Sequence, residues 1–297
     1  MPPPSHAEPA VVTPALLRGW ALPSPEGGKE ARGRTLVVGG SRETPGAVLL
    51  AAEAALRSGG GKLQVATVEE VALQLAVALP EGLVRGLRST EAGALEPESA
   101  DDVVDLARDA ACVVVGPGMT DVEATAAFLE RLLPAVGSTI VVDALAMAAV
   151  TADVHVLQHL DGRAVLTPNP GELAKTLGVD ADTVEAAPAE HAARLAADAK
   201  AVVALGGTTS WVAAPDGRLW HDETGGSGLG VSGSGDVLAG IVAGLVARGA
   251  DADQAAVWAT HLHGRAGERL AASVGRLGFL ARELLPEIPR VLAEVDQ

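Results

Sequence analysis

From Arg34 onward, short apolar runs rich in β-branched residues alternate with longer runs rich in Ala and Leu. TLVVGG (35–40) is an apolar run stopped by two glycines, which reads as a buried strand. KLQVAT (62–67), CVVVGPG (112–118), STIVVDAL (138–145) and AKAVVALGG (199–207) read the same way, and AVLTPNPGE (164–172) reads as strand, turn and helix start. Between them, residues 46–58, 69–79, 101–110, 123–136 and 188–198 have helical composition. The rhythm then changes. Residues 209–222 read as a hairpin turning at Pro215-Asp216-Gly217, and three helical runs follow at 235–249, 252–272 and 279–294. Strands alternating with helices predict an α/β fold with a mainly parallel central sheet, helices on both faces, and ligands at the carboxyl ends of the strands. The hairpin supplies an antiparallel edge. Residues 1–33 are rich in Pro, Gly and charge, and the expectation is a flexible or loosely held segment ahead of one domain spanning 34–297.

One stretch stands apart. Residues 228–249, GLGVSGSGDVLAGIVAGLVARG, change from a glycine–serine run to an apolar helical run at Gly233-Ser234-Gly235-Asp236. Glycines let a backbone approach a ligand closely. A helix starting there turns unpaired N–H groups and a partial positive charge outward. The two together form a phosphate cradle. Asp236 is the odd residue in such a place, because an anion repels a carboxylate. It is either a plain helix-start aspartate or a base beside a transferring phosphoryl group.

Other strand ends carry polar or glycine-rich turns. Gly39-Gly40-Ser41 runs into Pro45-Gly46-Ala47, where a small side chain admits a ligand or where the turn is only a turn. Gly116-Pro117-Gly118 matches neither the Walker loop nor the full G-x-G-x-x-G fingerprint. Gly206-Gly207-Thr208 closes a further strand. Asp143 ends its strand and could hold a metal-bound water or a ligand hydroxyl, or cap the next helix. In Thr167-Pro168-Asn169-Pro170-Gly171-Glu172 two prolines stiffen the loop; Asn169 is placed for a ligand contact and Glu172 for a magnesium-bound water, or Glu172 simply favours a helix start. His261 and His263 lie two apart on one helix and cannot form a metal pair by themselves. Trp20, Trp211, Trp220 and Trp258 are assigned to packing. No G-x-S-x-G, H-E-x-x-H or C-x-x-C motif is present.

Composition narrows the partners. The formal charge is −16 and aromatics are 2%, which argues against nucleic acid and anionic membranes. A polyanionic nucleotide would therefore have to be held locally, by backbone N–H groups and Mg²⁺. The single cysteine, Cys112, excludes an internal disulfide and fits a strand core. With no apolar leader and no long apolar span, the expectation is a cytoplasmic protein.

The ordered motifs GGSRETPGA, GPGMT, VVDAL, LTPNPGEL, GGTTSWVAAPDG, SGSGDVLAGIVAGLVARG and HLHGRAGE resemble the ADP/ATP-dependent NAD(P)H-hydrate dehydratases, from about Arg34 to Leu292. LTPNPGEL and SGSGDVLAGI are the most specific of them. The resemblance implies a ribokinase-like three-layer sandwich. It also implies an ADP-dependent hydro-lyase that restores NADH and NADPH from their C6 hydrates, NADHX and NADPHX. Carried over by position, Asp236 is the general base, and the backbone of Gly233, Ser234 and Gly235 is the anion hole. Ala47, Gly118, Asn169 and Asp236 contact the hydrate. Gly206, Gly207, Thr208, Thr209, Ser210 and Gly235 contact the adenine nucleotide, with Mg²⁺ as cofactor and ADP or ATP as co-substrate. A homo-oligomer, taken as a tetramer, and functional pairing with an NAD(P)HX epimerase are also implied. The family pattern is broken at Thr44 (usually Tyr), Leu145 (usually Asp), Gly206 (usually Lys) and Asn169 (usually His). Two other readings stay open here: an ATP-using ribokinase-like kinase of a small vitamin-precursor alcohol, and a nucleotide-binding module without activity.

Overall fold

A computed structural model describes residues 8–24 and 26–296. The chain forms β1 (Ala10–Val11), α1 (Pro14–Gly19), β2 (Arg34–Val38), α2 (Pro45–Arg57), β3 (Lys62–Val68), α3 (Glu69–Ala78) and β4 (Gly82–Leu87). A 3₁₀ segment (Pro97–Val103) leads into α4 (Val104–Asp109), followed by β5 (Cys112–Val115), α5 (Val122–Leu132), β6 (Thr139–Val142), α6 (Met147–Ala152) and β7 (Ala164–Leu166). Then come α7 (Pro170–Leu177), α8 (Ala181–Ala186), α9 (Pro188–Ala199), β8 (Val202–Leu205), β9 (Ser210–Ala213) and β10 (Leu219–Asp222). The chain closes with α10 (Ser234–Ala247), α11 (Ala252–Ser273), α12 (Ala281–Leu284) and α13 (Ile288–Val295).

The ten strands of the described residues share one sheet in the order β1-β10-β9-β8-β7-β6-β5-β2-β3-β4. Every neighbouring pair is parallel except the two made by β9, so β9 alone is reversed and the predicted hairpin is the antiparallel element. Central strands such as β5 are apolar at every position because helices cover both faces. Cys112 and Val114 face one core with α2, α10 and α11. Val113 and Val115 face the other, with α5, α7 and α9. Three layers result.

The chain order places a ligand crevice. β2, β3 and β4 step outward in one direction, and β5 then returns to the opposite side of β2. Neighbouring loops diverge at such a reversal, which opens a cleft at the carboxyl ends of the strands. Helix α10 lies across β5 and β6 and packs most closely on α2. A Cβ at Gly240 would meet the Ala51 carbonyl at 2.2 Å, so the glycine lets the two helices approach closely. Most of α10 is buried, and the cradle sequence stands at its start.

Three expectations need correction. The segment 1–33 is not loosely held from Ala10 to Leu22: β1 pairs with β10, Leu17 is fully buried, and Trp20 stacks on Trp220 with ring centroids 5.7 Å apart. The Trp258 Nε1–H and the Gln254 side-chain amide both donate to the Trp20 carbonyl. Residues 1–7 lie outside the described residues. The run 279–294 is not one helix: Pro286 and Pro289 interrupt it, giving α12, a 3₁₀ turn and α13. The strand β4 and the helices α1, α6 and α8 are additional to the sequence reading.

Candidate active site

The turns after β2 and β5 meet across the crevice. Gly40 N–H donates to the Pro117 carbonyl at 2.7 Å. Thr44 Oγ1 donates to the Gly118 carbonyl at 2.6 Å. Since the threonine has one proton, the 2.7 Å contact between Ser41 Oγ and Thr44 Oγ1 is donated by Ser41. Gly118 has φ +68°, and a Cβ there would lie 2.4 Å from the Thr44 carbonyl and 3.1 Å from the Ala47 Cβ. Gly118 and Ala47 are thus neighbours on one wall. Thr44, where the resembled pattern has tyrosine, ties that wall together with its hydroxyl.

The cradle forms at the start of α10. Gly233 is its N-cap, with φ +90°; a Cβ there would strike Leu50 of α2 at 2.5 Å. The left-handed cap turns the chain sharply into the helix. Val237 N–H bonds back to the Gly233 carbonyl, and Ser234 N–H donates to the Val231 carbonyl at 3.2 Å. Ser234 therefore corrects the sequence reading, because its amide is engaged within the turn. The unengaged amides of this first turn are those of Gly235 and Asp236, as expected for the second and third helical positions. Gly235 is exposed and Asp236 half-buried. Nothing stands within 4 Å of where a Gly235 Cβ would be, so the cradle is open on the ligand side. Partial burial pushes the Asp236 carboxyl up to about 6.

Two more acidic groups converge on Asp236. Asp143, just after β6, is buried and accepts from Thr167 Oγ1 at 2.7 Å. Its side chain caps no helix. Burial first, and then the Asp236 and Glu172 carboxylates, raise it to about 7 against the opposing Thr167 hydrogen bond. Asn169 and Glu172 form a capping box at the start of α7: Asn169 Oδ1 accepts from Glu172 N–H, and Glu172 Oε2 accepts from Asn169 N–H, both at 2.9 Å. The helix-start reading of Glu172 is realised for one of its oxygens. The Asn169 amide nitrogen has no part in the box.

Of the residues expected on the nucleotide side, Gly206 to Thr209 link β8 to β9 and Ser210 opens β9. Gly206 N–H donates to the Pro168 carbonyl at 3.4 Å, which joins this loop to the Asn169 loop. Gly207 and Thr208 are exposed, and Thr209 and Ser210 half-buried. No atom lies within 4 Å of where a Gly206 Cβ would be.

Sequence reasoning missed the part played by α11. His263 Nε2 and Ser234 Oγ are hydrogen-bonded at 2.9 Å. His261 is 2% exposed, and its Nδ1 bonds Asp222 Oδ2 at 2.7 Å. Both partners are distant in sequence, so no local signal marks these pairs. Cys112 is buried and its thiol pushed up by desolvation, an inert core residue. Among the described residues no helix is long and apolar enough to cross a membrane.

Comparison with known proteins gives one answer. The family model described as NAD(P)H-hydrate dehydratase matches residues 35–290. The chain is 48% identical over 282 residues to an ADP-dependent (S)-NAD(P)H-hydrate dehydratase from Xanthomonas campestris, covering 95% of each chain. Other relatives, such as one from Moorella thermoacetica, are bifunctional NAD(P)H-hydrate repair enzymes, and the chain spans about half their length. Among solved structures, the ADP/ATP-dependent NAD(P)H-hydrate dehydratase from Bacillus subtilis co-crystallized with ATP/Mg²⁺ superposes with TM-score 0.81 at 28% identity, covering 97% of this chain and 99% of that one. A ribokinase-like superfamily protein from Enterococcus faecalis superposes with TM-score 0.83 at 22% identity, covering 97% and 96%. At that identity it speaks for the ribokinase-like fold alone.

Proposed function

The chain belongs to the NAD(P)H-hydrate dehydratase family, and from that premise we propose that Asp236 is the general base and the start of α10 the anion hole of the reaction. The activity is that of an ADP-dependent (S)-NAD(P)H-hydrate dehydratase, a hydro-lyase. The single observation that supports the assignment of roles is the join at Gly233–Asp236: a half-buried carboxylate beside open amides at a helix start.

Hydroxide leaves carbon poorly and phosphate leaves well. In the proposed sequence Asp236 takes the proton of the C6 hydroxyl, and the hydroxyl oxygen bonds to the terminal phosphorus of ADP while the bond to AMP breaks. Amides of Gly233, Gly235 and Asp236, with the helix dipole behind them, stabilise charge on the transferring group. The ring nitrogen next to C6 then expels phosphate, and loss of the C5 proton restores the dihydronicotinamide. Hydrate and ADP give NAD(P)H, AMP and phosphate. Ala47, Gly118 and Asn169 border the hydrate, and residues 206–210 with Gly235 border the nucleotide, in a catalytic domain that includes β1 and α1 as well as the chain from residue 34 onward.

A magnesium ion fits the residues present. The Asp236 and Glu172 carboxylates both raise the proton affinity of Asp143, with no cation among the groups that act on it, and Glu172 keeps one carboxylate oxygen outside its capping box. Mg²⁺ characteristically retains waters and sits on substrate phosphates with one or two carboxylates nearby. Glu172 would hold it through water, and the ion would neutralise phosphate charge. We also assign the protein to a cytoplasmic homo-oligomer, a tetramer, that works beside an epimerase supplying the S hydrate.

The test is direct. Purified protein is given (S)-NADHX or (S)-NADPHX with ADP, then with ATP, and the return of dihydronicotinamide absorbance is followed. Return with ADP, abolished in Asp236→Asn, is the expected result. Return that is untouched by Asp236→Asn would remove Asp236 as base while leaving the activity in place.

A further inference from the structure

The loop of residues 223–233, which delivers the chain to the cradle, is fastened at both ends to α11. At its entry, Asp222 Oδ2 bonds His261 Nδ1 at 2.7 Å, and Asp222 Oδ1 accepts from Thr224 N–H at 2.7 Å. Along its length, Thr224 packs against Gly264 so closely that a Cβ on the glycine would lie 2.2 Å from its hydroxyl, and Gly225 N–H donates to Glu268 Oε1 at 3.3 Å. At its exit, Ser234 Oγ meets His263 Nε2 at 2.9 Å. Ser234 is 5% exposed, so its side chain is turned inward to α11, while the amides of the next two residues have no backbone partner. Desolvation holds the His263 imidazole down at about 4, so the ring is neutral at pH 7.

Resting on the reading of α10 as the anion hole, we propose that His263 is a positioning residue for phosphoryl transfer: it holds Ser234 from behind and so sets the direction of the Gly235 and Asp236 amides and of the Asp236 carboxylate. The histidine touches neither substrate nor nucleotide. Its contribution depends on geometry, because anion-hole donors stabilise a transition state only when they are fixed beforehand on the place where charge develops. A loosened first turn would still bind the nucleotide through residues 206–210. It would lose alignment in the transition state, so the loss falls on kcat and leaves KM for ADP nearly unchanged.

The experiment compares His263→Leu, which keeps most of the side-chain volume, with His263→Gln, whose amide can bond Ser234 again, with Ser234→Ala, and with the Leu/Ala double variant. Dehydratase kinetics with (S)-NADHX and ADP are measured beside calorimetric binding of ADP and thermal melting. The expected result is a loss of about tenfold in kcat for His263→Leu, near the worth of one hydrogen bond. Recovery to within about threefold is expected in His263→Gln, with ADP affinity unchanged in both. Ser234→Ala should cost as much as His263→Leu, and the double variant no more than either, since both remove the same contact. If His263→Leu folds with full kcat, or if the two single losses multiply in the double variant, the proposal is overturned. If His263→Leu melts below the assay temperature, Ser234→Ala and His263→Gln decide: a full kcat in Ser234→Ala overturns the proposal. Wild-type turnover with normal ADP binding is measured first, so failure of the dehydratase reading appears as an inactive wild type and not as a variant effect.

Discussion

Thr44 Oγ1 donates to the Gly118 carbonyl at 2.6 Å, and this bond joins the turn after β2 to the turn after β5 where the sheet reverses its direction of growth. It stands on the wall that Ala47 and Gly118 present to the crevice. The resembled pattern has a tyrosine at this position. The shorter threonine keeps a hydroxyl and directs it to a backbone acceptor. Thr44→Val should therefore loosen the wall. We expect a destabilisation of about 1 kcal/mol, read as a lower melting temperature, and a severalfold rise in KM for the hydrate with a smaller change for ADP. Thr44→Ser should stay near wild type in both measurements.

Asp236→Asn separates chemistry from folding. Loss of a general base lowers kcat by about 10²-fold or more, followed as regain of dihydronicotinamide absorbance. The melting temperature should hold or rise. The folded state already disfavours the ionised carboxylate, which is pushed up to about 6 from its ordinary value of 3.8, so a neutral amide removes an unfavourable charge.

The same shift sets the acid limb of the rate profile. Asp236 must be ionised to accept a proton, so kcat/KM for the hydrate should fall as the pH is lowered through about 6. A limb that stays level down to the ordinary aspartate range would remove Asp236 as base.

Asp143 predicts an opposite trend for stability. Its carboxyl is raised to about 7 in the folded protein from 3.8, so between those values the folded state binds more protons than the unfolded state. Stability from this group is fully present below about 4 and lost as the pH rises through about 7. Asp143→Asn, which keeps an acceptor for Thr167, should flatten the pH dependence of the melting temperature over that window and raise it at pH 8. An unchanged profile would show that Asp143 does not carry the effect.

Gly206→Lys tests the departure on the nucleotide side. The position has open space around it, so a long cation can be accommodated without displacing neighbours. Adding a charge that can meet a phosphate should lower KM for ADP severalfold with little change in kcat. No change would show that the engaged Pro168–Gly206 loop directs the new side chain away from the phosphates.

Much of this molecule is determined by local sequence. The Val-rich strands, the glycine stops and the reversed hairpin follow from patterns a few residues long, because strand burial and turn geometry are set at that range. The cradle is equally local: Gly233 supplies the left-handed cap, Gly235 the open approach and Asp236 the carboxylate. Tertiary structure decided what lies behind and beside it. β4 has no local signature because GLVRGL (82–87) lacks a full apolar run and is strand only by pairing with β3. The segment around Leu17 and Trp20 reads as unstructured in the sequence because its partners, Trp220, Gln254 and Trp258, come 200 or more residues after Trp20. The engagement of Ser234 N–H by Val231, the bond from His263 to Ser234, and the raised proton affinity of Asp143 beside Asp236 and Glu172 also depend on folding. Each requires groups from separate elements to meet in a desolvated place, and neither proximity nor desolvation exists until the sheet and its two helical layers have assembled.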